Sequence, residues 1–291
     1  MRLLAFLDGG IPTMGVVTAA GVVPVAPIRD FYADVPGWLR RAGVGTTGER
    51  PRPAAGLTLI PPVPDTAKVI CAALNYASHA AETGGRVSEH PNLFARWAAT
   101  LVPGGTPVPV PRTEPGLDWE VELAVVVGAP LIDVTPDQVA AGVLGYTVFN
   151  DLSARLHQQA SRQWALGKNS DRSGPVASTV VTADELDAGD LHLETRVNGE
   201  VMQSGSTADM IFSIAELLSY ASRTITLRPG DLIATGTPPG VGFVREPPRF
   251  LVPGDMVEVE VEGIGVVRTP IVDSSHRWEP PAAGARASTA S

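Results

Sequence analysis

The sequence predicts a β-rich α+β fold, with a main domain preceded by a small N-terminal one, and three observations carry that prediction. Apolar and β-branched strand signals recur at residues 67–72, 121–127, 143–149, 191–197, 231–235 and 256–261. One amphipathic helix interrupts them, with Ile211, Ile214, Leu217, Leu218 and Ala221 on one face and Asp209 placed to cap it. The stretch RPRPAAGLTLIPPVP, 50–64, is Pro-rich and reads as an extended boundary. The expected division is therefore 1–65 as the small N-terminal domain and 66–275 as the main domain. The Pro-led tail of small and polar residues, 276–291, is expected to be disordered.

Within the first 65 residues, LLAFL and GVVTAAGVVPV read as short strands separated by Gly-containing turns, and residues 30–41 as one short helix. In the main domain Asn198-Gly199 is a hairpin turn. Helices and strands do not alternate regularly, which argues against a doubly wound α/β sheet.

Composition narrows the function. With 44% hydrophobic and 18% charged residues the chain can bury a sizeable core. A net charge of −9 without clustered cations argues against a nucleic-acid partner, and a bound metal could offset part of that acidity. Cys71 is the only cysteine, so neither an internal disulfide nor a cysteine metal site is available, as in a reducing cytoplasm. The apolar run in MRLLAFLDGG is too short for a signal-peptide core, and no stretch reaches the roughly 18 apolar residues of a membrane span. A cytoplasmic protein with no membrane association is expected. Nucleotide loops are missing as well: GTTGER lacks the lysine and spacing of a P-loop, and no GxGxxG follows a strand.

Of the 22 basic residues only Lys68 and Lys168 are lysine. A lysine retained against that arginine bias points to a place where a compact ammonium matters.

The sharpest chemical signal is DWEVELAVVVG, 118–128. Glu120 and Glu122 are two apart, on one face of a strand. Such a pair can sit in water at an exposed strand end, as the alternating Val257-to-Glu262 segment would. The apolar run after Glu122 instead resembles a strand buried on both faces, where close carboxylates need a proton or a cation. Asp151 ends another apolar strand in GYTVFNDLSAR, as a third acid or equally as a turn residue or helix cap. Three carboxylates without cysteine suit a hard cation, Mg²⁺ or Mn²⁺ rather than Zn²⁺. His79 and Glu82 lie three apart on one face of a helical turn, a spacing that by itself reads as a surface ion pair.

Seven segments together resemble the fumarylacetoacetate hydrolase family: LNYASHAAETGG, PNLFARW, DWEVELAVVVG, GYTVFNDLSARLHQQ, QWALGKNSD, NGEVMQSGSTADMIF and PGDLIATGTPPGVG. They run in the family's order from about residue 69 to 273, and look like a member of the acylpyruvate hydrolase and 2-hydroxyhepta-2,4-diene-1,7-dioate isomerase type. The first 65 residues resemble the leading domain of longer bacterial members only weakly. The resemblance implies a mixed β-roll-like domain, usually a homodimer. It makes Glu120, Glu122 and Asp151 ligands of Mg²⁺ or Mn²⁺. It gives Arg155, Gln158 and the hydroxyl or backbone of Thr237 contacts to a small 2-oxo acid, and sets the Lys168 ammonium against that acid's oxygens. It places His79 and Glu82 on a short helix that orders over the substrate, the glutamate orienting the imidazole that takes a proton from water. Arg96 stands where members carry a basic residue, either to bind substrate or as part of the arginine bias. His157 has no role in the pattern, and His90, His192 and His276 read as surface residues.

The expected reaction is metal-dependent hydrolysis of a C–C bond in an acylpyruvate such as fumarylpyruvate, giving a carboxylic acid and pyruvate. Decarboxylase, isomerase and dehydratase activities use the same enolate and remain the alternative. A silent binding protein would have no need of the full set Glu120, Glu122, Asp151, Lys168, His79 and Glu82.

Overall fold

The computed structural model describes residues 1–43, 45 and 48–276. The chain begins with a meander of β1 (Arg2–Asp8), β2 (Ile11–Thr18) and β3 (Gly21–Pro27), followed by α1 (Ile28–Ala33) and α2 (Val35–Gly43). The single helix expected over 30–41 is two. The first ends at Ala33, and the Asp34 carboxylate accepts the Gly37 N–H at 3.0 Å, restarting the chain as the second.

Then come β4 (Lys68–Ala73), α3 (Ala77–Glu82), β5 (Asn92–Trp97), β6 (Leu101–Pro103), β7 (Val108–Pro109), β8 (Val121–Val127) and β9 (Val143–Asn150). Two short helices, α4 (Arg155–Gln159) and α5 (Ala165–Lys168), precede β10 (Gly174–Val176), β11 (Thr179–Thr182), β12 (His192–Val197) and β13 (Glu200–Ser206). The remainder is α6 (Ile214–Ser222), β14 (Leu232–Ala234), β15 (Met256–Val261) and β16 (Gly265–Val272).

These strands form two mixed sheets. The larger has 11 strands with the path β3-β2-β1-β11-β9-β8-β14-β4-β5, and β10 and β6 branching from β9. The smaller is β13-β12-β15-β16-β7. Because β1 pairs with β11, the first three strands continue the main sheet, and Leu3, Phe31 and Val63 share a buried cluster with Val69, Ala124 and Leu232.

The non-alternating run in β8 has a direct explanation: all seven of its residues are buried. Val121 and Leu123 pack with Leu193, Val257 and Val259 of the smaller sheet. Val125 and Val127 pack with Leu217, Leu218 and Ala221 of α6. Ala124 and Val126 join the N-terminal cluster on the other face. Each valine or leucine among them contributes on the order of 1.5–3 kcal/mol of burial, so a slip of one residue in register would be strongly destabilising. By contrast β15 alternates, with Glu258 and Glu260 outward and paired with Arg196.

The amphipathic helix is present, but its start differs from expectation. Ser213, not Asp209, caps α6: its hydroxyl accepts the Glu216 N–H, and the Glu216 carboxylate accepts the Ser213 N–H at 2.8 Å. Asp209 belongs to a separate single turn. The Asn198-Gly199 hairpin is as read, with both residues at positive φ, 53° and 85°. The tail expectation at 276–291 falls almost entirely outside the described residues.

Candidate metal centre and active site

The central strands bring the three acids together. Glu120 immediately precedes β8 and Asp151 immediately follows β9, which pair antiparallel with Val121 opposite Asn150. That crossing is pinned by the Asp151 N–H donating to the Glu120 carbonyl at 2.9 Å and the Glu120 N–H donating to Asn150 Oδ1 at 3.1 Å. Glu122, two residues into the same face, accepts the Gly236 N–H at 2.8 Å. One carboxylate oxygen from each of Glu120, Glu122 and Asp151 lies within 4.8 Å of the others, and all three residues are buried.

Their charges are unequally balanced. Lys168 Nζ donates to Glu120 Oε2 at 2.8 Å and to Asp151 Oδ2 at 2.5 Å. Arg96 Nη1 donates to Asp151 Oδ1, while its Nη2 donates to Ser173 Oγ at 2.7 Å. Arg155 Nη2 lies 2.7 Å from Glu120 Oε1. Glu122 makes no ion pair among the described residues.

The acidities follow from this pattern. Burial opposes ionisation of Glu120, but Lys168 and then Arg155 overcome it and hold the carboxyl at about 2. Burial, reinforced by Asp151 and Glu120, pushes Glu122 well above the carboxylate range. Burial pulls Lys168 down, yet Asp151 and Glu120 outweigh it and its pKa is raised, so the ammonium keeps its proton.

A hard-oxygen donor set of three close carboxylates, one without a cationic partner, fits a divalent cation of the Mg²⁺ or Mn²⁺ kind.

The dyad lies on α3. His79 Nδ1 is 2.7 Å from Glu82 Oε1, and both Glu82 oxygens accept the Gly240 N–H, at 3.1 and 2.9 Å. With Nδ1 donating to the carboxylate, the lone pair resides on Nε2. His79 is 6% exposed, which is not the setting of a surface ion pair.

A cavity of about 460 Å³ is lined by His79, Glu120, Glu122, Arg155, Gln158, Lys168 and Thr237, together with Phe94, Arg162, Trp164 and Phe243. Seven of the ten residues expected from the sequence thus face one space. Asp151 and Glu82 lie outside the lining, Asp151 bonded to Lys168 and Glu82 behind His79. Arg96 lies outside the lining: it is buried behind Asp151, its guanidinium bonded to Asp151 and Ser173 rather than facing a substrate.

Thr237 also differs in detail. Its hydroxyl donates to the Val121 carbonyl at 2.9 Å and accepts from Gln203 Nε2 at 2.8 Å, so a donor contact to a ligand falls to its backbone N–H. Arg155 Nη1 donates to Gln158 Oε1 at 2.8 Å, which joins the two residues of α4.

Sequence reasoning missed Asp118, which holds the cavity residue Arg155. Fully buried, it accepts the Arg155 Nε–H at 2.8 Å and the N–H groups of Gly242 and Phe243 at 2.7 and 3.1 Å. The only signal was its place at the head of DWEVEL. The remaining histidines stand apart from the cavity. His157 pairs with Glu114, and His90, His192 and His276 are exposed. A larger cavity, about 670 Å³, lies against the N-terminal strands; its lining is mostly apolar, and its rim residues Arg29 and Asp65 pair with each other at 3.2 Å.

The match to the fumarylacetoacetate (FAA) hydrolase C-terminal family spans residues 68–272. This chain belongs to that family. Its relatives include the mitochondrial oxaloacetate tautomerase of Rattus norvegicus, 40% identical over 222 residues that make up 76% of this chain and 71% of that protein. Among solved structures, a fumarylacetoacetate hydrolase from Exiguobacterium antarcticum superposes with a TM-score of 0.82 at 33% identity, covering 94% of this chain and 99% of that one. The 5-carboxymethyl-2-hydroxymuconate delta-isomerase of Mycobacterium smegmatis gives 0.77 at 32% identity, covering 95% and 100%. The strand-rich architecture with mixed sheets is the family's fold. No helix among the described residues is long and apolar enough to cross a membrane.

Proposed function

We propose that this protein is a Mg²⁺- or Mn²⁺-dependent enzyme that hydrolyses a C–C bond in an acylpyruvate-type 2,4-dioxo acid. The observation that carries the reading is a single cavity lined by Glu120, Glu122 and Lys168 and by a histidine whose Nδ1 is held by a carboxylate.

Glu120, Glu122 and Asp151 would hold the cation, which would supply Lewis acidity toward a 2-oxo acid head group. Arg155 and Gln158 orient that head group from α4, and the Thr237 N–H donates to its carboxylate. His79 Nε2 takes a proton from water, whose oxygen bonds to the distal carbonyl carbon. The C–C bond then breaks, and its electron pair becomes the enolate of pyruvate beside the Lys168 ammonium, which offsets the developing charge. The proton held on His79 returns to the enolate carbon, leaving pyruvate and a carboxylic acid. Glu82 keeps the imidazole in one tautomer throughout.

A second reading, enol–keto tautomerisation of a 2-oxo acid, is favoured by the rat relative named as an oxaloacetate tautomerase. It uses the same enolate but leaves every C–C bond intact. A panel of acylpyruvates and oxaloacetate, followed by NMR with Mg²⁺ or Mn²⁺, separates the two. Release of pyruvate and an acid in equal amounts is the expected result. Enol–keto exchange of oxaloacetate with no acylpyruvate cleaved would move the assignment to the tautomerase. Neither reaction with any member of the panel would overturn both.

A further inference from the structure

The edge of β8 that carries the acids has an unusual neighbour. On one side β8 pairs with β9 along its whole length. On the other, β14 is only three residues long and pairs with Val126, Val125 and Ala124, so it stops before the segment bearing Glu120 and Glu122. A strand edge buried in this way must find partners for its N–H and C=O groups elsewhere.

Side chains complete the ladder. Thr235 donates its N–H and its hydroxyl to the Leu123 carbonyl, at 3.0 and 2.9 Å. Thr237 Oγ1 donates to the Val121 carbonyl at 2.9 Å. Gln203 Oε1 accepts the Val121 N–H at 3.1 Å. Val121 is the residue between the two glutamates.

Gln203 comes from β13, in the smaller sheet, and is 1% exposed. Its amide is fully used. Besides Val121, Oε1 accepts Thr195 Oγ1 at 2.7 Å, while Nε2 donates to Thr237 Oγ1 and to the Pro238 carbonyl, each at 2.8 Å. The orientation is determined chemically. Val121 N–H can only donate and the Pro238 carbonyl can only accept, so a flipped amide would face donor to donor and acceptor to acceptor. One side chain therefore ties the peptide between Glu120 and Glu122 to the 235–240 loop, which supplies Gly236 to Glu122 and Gly240 to Glu82.

We infer that Gln203 is a positioning residue for the metal centre: its amide stands in for the missing strand and sets the relative placement of Glu120, Glu122 and the Thr237 loop. The inference rests on reading Glu120 and Glu122 as metal ligands. Groups that orient ligands in this indirect way characteristically govern metal affinity by about 10–100-fold. Glutamate at this position would keep the acceptor and the shape but lose the donors to Thr237 and Pro238. Methionine would lose every contact at similar volume.

The test is direct Mn²⁺ titration of the full-length protein by calorimetry, with wild type, Gln203→Glu, Gln203→Met and a control, Thr207→Val. Thr207 is likewise buried, and its hydroxyl makes two hydrogen bonds, to Ala188 and Leu191, away from the cavity. The expected result is a Kd for Mn²⁺ raised at least about tenfold in both Gln203 variants, with the control within about twofold of wild type whatever its loss of Tm. Gln203→Glu keeps the inference falsifiable if the methionine variant does not fold. Wild-type affinity in a folded Gln203→Glu protein would overturn the inference, and so would an equal weakening in Thr207→Val, since general loosening would then explain it. A wild type that takes up no Mn²⁺ would overturn the metal centre and the inference with it.

Discussion

The acid cluster and the His79–Glu82 dyad meet at one cavity, through Glu120, Glu122 and His79, but are built to different standards of rigidity. Glu120, Glu122 and Asp151 sit at the ends of central strands in an 11-stranded sheet, and each is held by backbone hydrogen bonds or buried cations. The dyad sits on a six-residue helix whose link to the acid side of the cavity is the Glu82 contact with Gly240 N–H. A helix that short has little stability of its own. The sheet therefore holds charge in place before anything binds, while the helix carries the imidazole to it on a less rigid support. Binding and chemistry should come apart under mutation.

The largest effect should follow removal of the metal. Exhaustive chelation is expected to abolish turnover, with Mg²⁺ or Mn²⁺ restoring it, and to lower Tm because Glu122, buried without a cationic partner, then has no counter-charge and the binding energy of the ion is lost. Since Glu122 is raised above its ordinary 4.5 in the metal-free fold, the folded state binds more protons than the unfolded one above that pH. Stability of the metal-free protein should thus fall as pH rises beyond about 4.5, and saturating Mg²⁺ should remove that part of the fall. Full activity after chelation would remove the rigid side of the comparison altogether.

A smaller effect should isolate the dyad. His79→Ala is expected to keep metal-dependent oxalate binding while losing acylpyruvate hydrolysis by roughly 10²-fold or more, the usual worth of a positioned general base. Measuring both quantities in the one variant sharpens the contrast. Lost oxalate affinity would place His79 with the ligand-holding set, and normal hydrolysis would take it out of the chemistry.

The smallest predicted effect concerns the two lysines. Lys168→Arg keeps the charge but replaces a compact ammonium bridging two acids with a wide planar fork, so kcat should fall at least about tenfold, roughly 1.4 kcal/mol of barrier. Lys68, half-exposed and paired with Asp231 at 2.6 Å, should tolerate Lys68→Arg with little change. Equal tolerance at both positions would show that the cluster needs only a positive charge.

Much of this was legible in one dimension. Strand period, β-branched runs and Asn-Gly chemistry act over a few residues, so β8 and β15 appear in the sequence at the bounds they take in space. The unbroken LAVVV after Glu122 announced burial on both faces, because a half-wet strand must alternate. Local rules failed where two nearby groups could each have capped the same helix. Ser213 prevailed over Asp209, since its position allowed a reciprocal bond with Glu216.

What tertiary structure alone decided is which side chains meet across long stretches of chain. Arg96 and Asp151 are 55 residues apart, and only the antiparallel placement of β9 against its neighbours puts that guanidinium behind the acid instead of in the cavity. Asp118 acquires its role from Arg155 and the Gly242–Phe243 backbone, and Gln203 reaches Val121 from the other sheet across 82 residues. Sequence determines the donors and acceptors each residue carries. Their pairing depends on closing long loops, and that depends on how the two sheets pack.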